Sequence, residues 1–205
     1  MKRGIRILVL IVTHILLAMP LRFIFKIESI IECNLNNNKK YIIVANHPSK
    51  LDPFIILAAL PLKEFIKLTP YVFVTSEKYL KKWYYKYLLR IWGCVSNIEK
   101  NGKKPLDLLK EKLENGETIF LFPGGELEKE GKSNSPRVGA IYLEREVRDS
   151  MLLPISIKVS NKICLKNMLR RNIQTRIHVQ KQFRHNEFKK DLQPLADEIY
   201  NKIMS

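Results

Sequence analysis

Apolar positions in this chain fall into blocks of two kinds. Short continuous apolar runs, Tyr41 to Ala45, Tyr71 to Thr75, Thr118 to Phe122, Leu152 to Val159 and Thr175 to Gln180, have strand length and predict strands buried on both faces. Between them lie stretches with helical start and stop signals. Asp52-Pro53 reads as an N-cap and a first-turn proline opening a helix over Phe54 to Leu60, which Pro61 closes. Ser76 caps a helix that runs to Trp92 and stops at Gly93, and Lys104 to Glu114 ends on Asn115-Gly116. Further helices are predicted from Arg137 to about Val147 and from Glu187 to Ile203, with a short strand at Cys94 to Ile98. Ser29 to Cys33, the polar turn Asn34 to Asn38 and Tyr41 to Ala45 together predict a hairpin. Strands alternating with helices give an α/β fold with a mostly parallel central sheet flanked by helices.

The longest apolar run, Ile7 to Leu21, follows a basic start and is closed by Arg22. At fifteen residues it is shorter than the ~20 a spanning helix needs. No small-x-small cleavage site follows Ala18, so the run predicts a retained, membrane-associated helix dipping into one leaflet. Pro20 is expected to end or kink it, with Phe23 to Phe25 at the headgroup boundary and His14 as a packed or interfacial histidine; an ordinary buried first helix is the alternative reading. The chain then divides into this segment, 1–28, and one domain, 29–205.

Composition adds a partner class. Of 205 residues 46% are hydrophobic, which excludes a disordered chain, and the formal net charge of +16 favours a polyanionic partner. Nucleic acid, an anionic membrane surface and phosphorylated small substrates all satisfy that sign. Lys78, Lys82, Lys86 and Arg90, at i, i+4 spacing beside Trp83, Tyr84, Tyr87 and Trp92, suit a lipid surface or a solvated helix face. Cys33, Cys94 and Cys164 are far apart and indicate neither a zinc site nor a disulfide framework.

Chemistry concentrates where two strands break. Tyr41 to Ala45 runs into Asn46-His47-Pro48-Ser49-Lys50-Leu51-Asp52. A carboxylate that orients an imidazole through one ring nitrogen leaves the other to accept a proton from a hydroxyl, so His47 is the candidate base and Asp52 its partner. Thr118 to Phe122 runs into Pro123-Gly124-Gly125-Glu126-Leu127-Glu128, whose two glycines let backbone N–H groups approach an anion.

In order and spacing these stretches resemble the glycerolipid acyltransferase family of lysophosphatidic acid acyltransferases. Asn46 to Asp52 is similar to its NHxSxxD block, and Phe122-Pro123-Gly124-Gly125 sits where that family has FPEG. Leu153-Pro154-Ile155 resembles its last short block, and Pro136 to Ala140 the segment opening the helix after FPEG. The resemblance covers about Tyr41 to Val159. Two positions depart from it: Gly124 stands at the acidic position of FPEG, and Leu127 where an arginine meets the acceptor phosphate. A branch of the wider superfamily that includes diacylglycerol acyltransferases carries PGGxxE, which Pro123 to Glu128 fits.

The resemblance implies an O-acyltransferase in which His47 deprotonates the hydroxyl of a lysophospholipid and Asp52 orients it, without an acyl-enzyme. Acyl-CoA or acyl carrier protein is the co-substrate, and no cofactor or metal is implied. Candidate substrate-binding residues are Ser49, Lys100, Pro123, Gly124, Gly125, Glu126, Glu128, Lys129 and Arg137, with Glu128 in the acidic role and Lys129, Lys132 or Arg137 serving an anionic group. The implied protein associates with an anionic membrane at its cytoplasmic face and binds no nucleic acid. A non-phosphate lipid acceptor, a non-catalytic lipid-binding relative and a basic nucleic-acid-binding protein remain alternative readings.

Overall fold

Seven strands form one sheet in the order β1-β7-β6-β2-β5-β3-β4, in a computed structural model that describes residues 3–83, 89, 91–99, 102–125, 135–161, 163–186 and 191–204. The strands are β1 (Ile27–Ile31), β2 (Lys40–Ala45), β3 (Tyr71–Thr75), β4 (Cys94–Ser96), β5 (Thr118–Leu121), β6 (Ser150–Val159) and β7 (Thr175–Val179). All neighbouring pairs are parallel except β6 and β7, so the expected α/β fold with a mostly parallel sheet is what the chain forms.

Alternation along β2 builds two cores. Tyr41, Ile43 and Ala45 face a layer made by helices α1 (Arg3–Phe25), α2 (Asp52–Ala59) and α3 (Leu62–Lys67), with Leu10, Phe25, Ile55, Ile56 and Phe65 buried among them. Ile42 and Val44 face α5 (Pro105–Glu114), α6 (Gly139–Glu146) and α8 (Gln193–Met204), through Leu109, Leu113, Ile141, Leu143, Ile199 and Ile203. The short helices α4 (Glu77–Leu80) and α7 (Leu165–Leu169) follow β3 and β6.

Several expectations are corrected. β1 and β2 form no hairpin: β2 has both edges filled by β5 and β6, and β1 pairs in parallel with β7 at the far edge. α1 does not end at Pro20 but continues to Phe25. The proline removes a single backbone donor, while Leu21, Ile24 and Phe25 go on packing against the core and Arg22 bonds the carbonyls of Ala58, Ala59 and Leu60. At 23 residues α1 is long and apolar enough to cross a membrane, so counting the apolar run underestimated it. The helix expected from Ser76 to Trp92 has its first turn, α4, closed at Lys81; Tyr84, Lys86, Tyr87 and Arg90 lie outside the described residues. The last helix begins at Gln193 rather than Glu187, which is also outside them, as are residues 188–190. Asp52 is the first residue of α2 and Leu51 its cap, because the carboxylate is committed to other donors.

Candidate active site

β2 ends at Ala45, beside β5 on one side and β6 on the other, with Val44 level with both Leu121 and Pro154. The next residue, Asn46, is buried and continues the ladder with its side chain. Its Nδ2 donates to the Ile157 carbonyl (2.9 Å), and its Oδ1 accepts the Ile157 N–H (2.7 Å). This double bond to β6 fixes the direction in which the chain leaves the sheet, and therefore where His47 begins.

The turn from His47 to Asp52 folds around one carboxylate. Asp52 is fully buried; its Oδ2 lies 2.8 Å from His47 Nδ1 and accepts the Ser49 N–H (2.7 Å), while its Oδ1 accepts the Ser49 hydroxyl (2.6 Å). Several donors converge on this buried carboxylate, and it sits at the α2 N-terminus, where the helix dipole favours negative charge. In the tautomer whose Nδ1–H donates to that carboxylate, Nε2 is the ring's acceptor atom. A face of the imidazole stacks on Phe122, with centroids 4.1 Å apart and planes inclined by 16°.

Phe122 opens the second turn. The Gly125 N–H bonds the Phe122 carbonyl (2.9 Å), and Gly125 adopts φ +71°. The Arg137 N–H bonds the Pro123 carbonyl (3.0 Å), tying the far side of the loop back to the turn. The Arg137 guanidinium lies directly over Gly125, where a Cβ would meet Cζ and Nε at 2.5 Å. Among the described residues that guanidinium has no carboxylate partner.

Of the residues predicted from sequence, His47, Asp52 and Ser49 meet in one array, and Pro123, Gly124, Gly125 and Arg137 meet in the turn against it. The Ser49 hydroxyl is engaged with Asp52, which makes it a support of the carboxylate in this arrangement. Lys100, Glu126, Glu128, Lys129 and Lys132 lie outside the described residues. Two positions stood inside the motifs read from sequence but were given no role there. Asn46 stands next to His47, and a buried amide at a strand end is a signal for a cross-strand bond, but its partner is 111 residues away. Phe122 carried no polar signal at all. Among the described residues no group of three His, Cys, Asp or Glu side chains is arranged to hold a metal ion.

The profile of the family described as Acyltransferase matches residues 26–158. No curated protein sequence matches the chain. In three dimensions it is similar to the crystal structure of the 1-acyl-sn-glycerophosphate (LPA) acyltransferase PlsC from Thermotoga maritima. That match has a TM-score of 0.64 and 17% identity over 98% of this chain and 95% of that one, a likeness of fold.

Proposed function

Because the chain belongs to the Acyltransferase family, we propose that it transfers a fatty acyl group from the thioester of acyl-CoA or acyl carrier protein to the free hydroxyl of a lysophospholipid such as lysophosphatidic acid. The observation that carries this reading is the imidazole of His47, oriented by Asp52 and stacked on Phe122 at the end of β2. His47 Nε2 takes the proton of the acceptor hydroxyl as its oxygen attacks the thioester carbonyl. The tetrahedral intermediate collapses with a new C–O ester bond, the C–S bond breaks, and the imidazolium returns the proton to the departing thiolate. The acceptor supplies the nucleophile, so no acyl-enzyme is needed.

The anionic headgroup is assigned to the Arg137 guanidinium above the Pro123-Gly124-Gly125 turn, where the absence of a side chain at Gly125 leaves that guanidinium its place, and the sequence motif adds Lys100, Glu126, Glu128 and Lys129 as further candidate substrate-binding residues. The exposed apolar side of α1 supports a membrane-associated protein, placed by this reading at the cytoplasmic face.

His47→Ala is expected to lower turnover about 10³-fold or more while the chain still unfolds in one cooperative thermal transition. Activity near wild type on lysophosphatidic acid with both donor types would remove the assignment.

A further inference from the structure

The outward side of α1 is apolar from end to end. Ile5, Leu8, Val12, Ile15, Leu16, Met19 and Phe23, all exposed, recur every three or four residues and form one narrow stripe. A soluble protein turns polar residues outward at such positions.

The stripe has a neighbour. Leu169, the last residue of α7, is 76% exposed, and the cations Lys166, Arg170 and Arg171 stand around it. The Arg171 guanidinium sits 3.6 Å from the centroid of the Phe23 ring, which joins the two elements into one surface. Lys26, at the exit of α1, adds a fourth exposed charge. Among the described residues none of these four cations has a carboxylate partner; Glu28 nearby is engaged with Arg176 and Gln174.

Topology places this surface at the catalytic end. β6 runs parallel to β2 and reaches Val159, opposite Thr175 of β7, which in turn faces Ile27 of β1. The connection bearing α7 and the exit of α1 therefore both lie at the end of the sheet from which His47 projects. Arg6 and Arg22, bonded to the body near opposite ends of α1, hold the helix along the domain.

We propose that α7 and the Arg170-Arg171 turn are the second half of a membrane footprint whose first half is the α1 stripe, and that its occupant is a bilayer bearing anionic headgroups. Leu169 enters the acyl boundary while Lys166, Arg170 and Arg171 engage phosphates, turning the His47 end toward the lipid. This rests on the membrane association proposed above for α1, and charge complementarity selects the partner.

Flotation of the full chain with vesicles of phosphatidylcholine, alone or mixed with phosphatidylglycerol, tests it without any substrate. Leu169→Gln/Arg170→Gln/Arg171→Asn is expected to weaken binding to the mixed vesicles about tenfold or more, and much less to the neutral ones. Leu16→Gln/Met19→Gln is expected to weaken binding to both. If the first variant binds like wild type while the second does not, α1 alone is the anchor and the proposal falls. Sedimentation that shows a dimer dissolved by the α7 substitutions assigns the surface to a second copy and also overturns it. Should the triple variant fail to fold, Arg170→Glu alone is expected to cost about fivefold on mixed vesicles, and no change refutes the proposal.

Discussion

At the scale of single residues, the Asp52 carboxylate decides how well His47, the proposed base, is held. It accepts from His47 and twice from Ser49 in a fully buried position, and an amide there turns an –NH₂ toward donors. Asp52→Asn is therefore expected to lower kcat by between about 10² and 10⁴, and to destabilise the fold by about 1–3 kcal/mol. Steady-state kinetics beside urea unfolding separates the two effects. Ser49→Ala leaves the His47 contact in place and is expected to cost about tenfold in kcat, in line with one lost bond to a charged group. Gly125→Ala meets two obstacles, a left-handed φ and the Arg137 guanidinium. Its expected signature is a raised KM for an anionic acceptor with little change for a neutral one. The contacts around His47 were legible in sequence to different degrees. His47, Ser49 and Asp52 lie in one six-residue turn, where chain connectivity alone brings them together. The stacking of Phe122 on His47 depends on β5 lying beside β2.

At the scale of elements, α1 is held at both ends by arginines. Arg6 reaches Glu117, the Tyr71 carbonyl and the Ile91 carbonyl, lying over Gly93, whose φ of +78° and missing Cβ make the room. Gly93→Ala would drive a methyl into the Tyr71 carbonyl and the Arg6 guanidinium, and is expected to cost more than about 2 kcal/mol in urea unfolding. Acid should loosen the same helix in two windows. Burial, followed by the nearby Arg22 charge, lowers the pKa of His14 from 6.5, so the unfolded chain takes up that proton first. Stability is then lost as pH falls below 6.5 through the folded value. Burial pushes Glu117 up, yet the bonds from Lys112 and Arg6 outweigh it and leave the carboxyl below 4.5. Its contribution is present above 4.5 and is lost as pH falls through the folded value. His14→Phe should flatten the upper window and Glu117→Gln the lower one in unfolding curves followed against pH. Pro20 shows why local rules miscarry here: one absent N–H costs less than the packing and the Arg22 bonds gained by continuing to Phe25.

At the scale of the whole molecule, α1 and the sheet pack around one core. Leu10 and Phe25 are buried in the core layer under α2 and α3, and the His14 ring stacks on Phe65 at 3.9 Å. Deleting residues 1–26 would uncover Leu57, Ala58 and Phe65. The truncated chain is expected to be insoluble or to unfold at much lower urea than the full chain, and a soluble truncation with an unchanged transition would show that the body folds alone.

What the sequence determined by itself was the alternation of strands and helices, the apolar first helix, and the two turns that carry His47, Asp52 and the glycines. All of these follow from neighbours a few residues apart, where periodicity, capping signals and turn chemistry act directly. Only the tertiary structure decided which strands lie together: that β1 joins β7 instead of closing a hairpin, that Asn46 finds Ile157, that Phe122 lies on His47, and that Arg171 comes to rest on Phe23. Those choices are made by burying both faces of the sheet at once, a global condition that no short stretch of sequence contains.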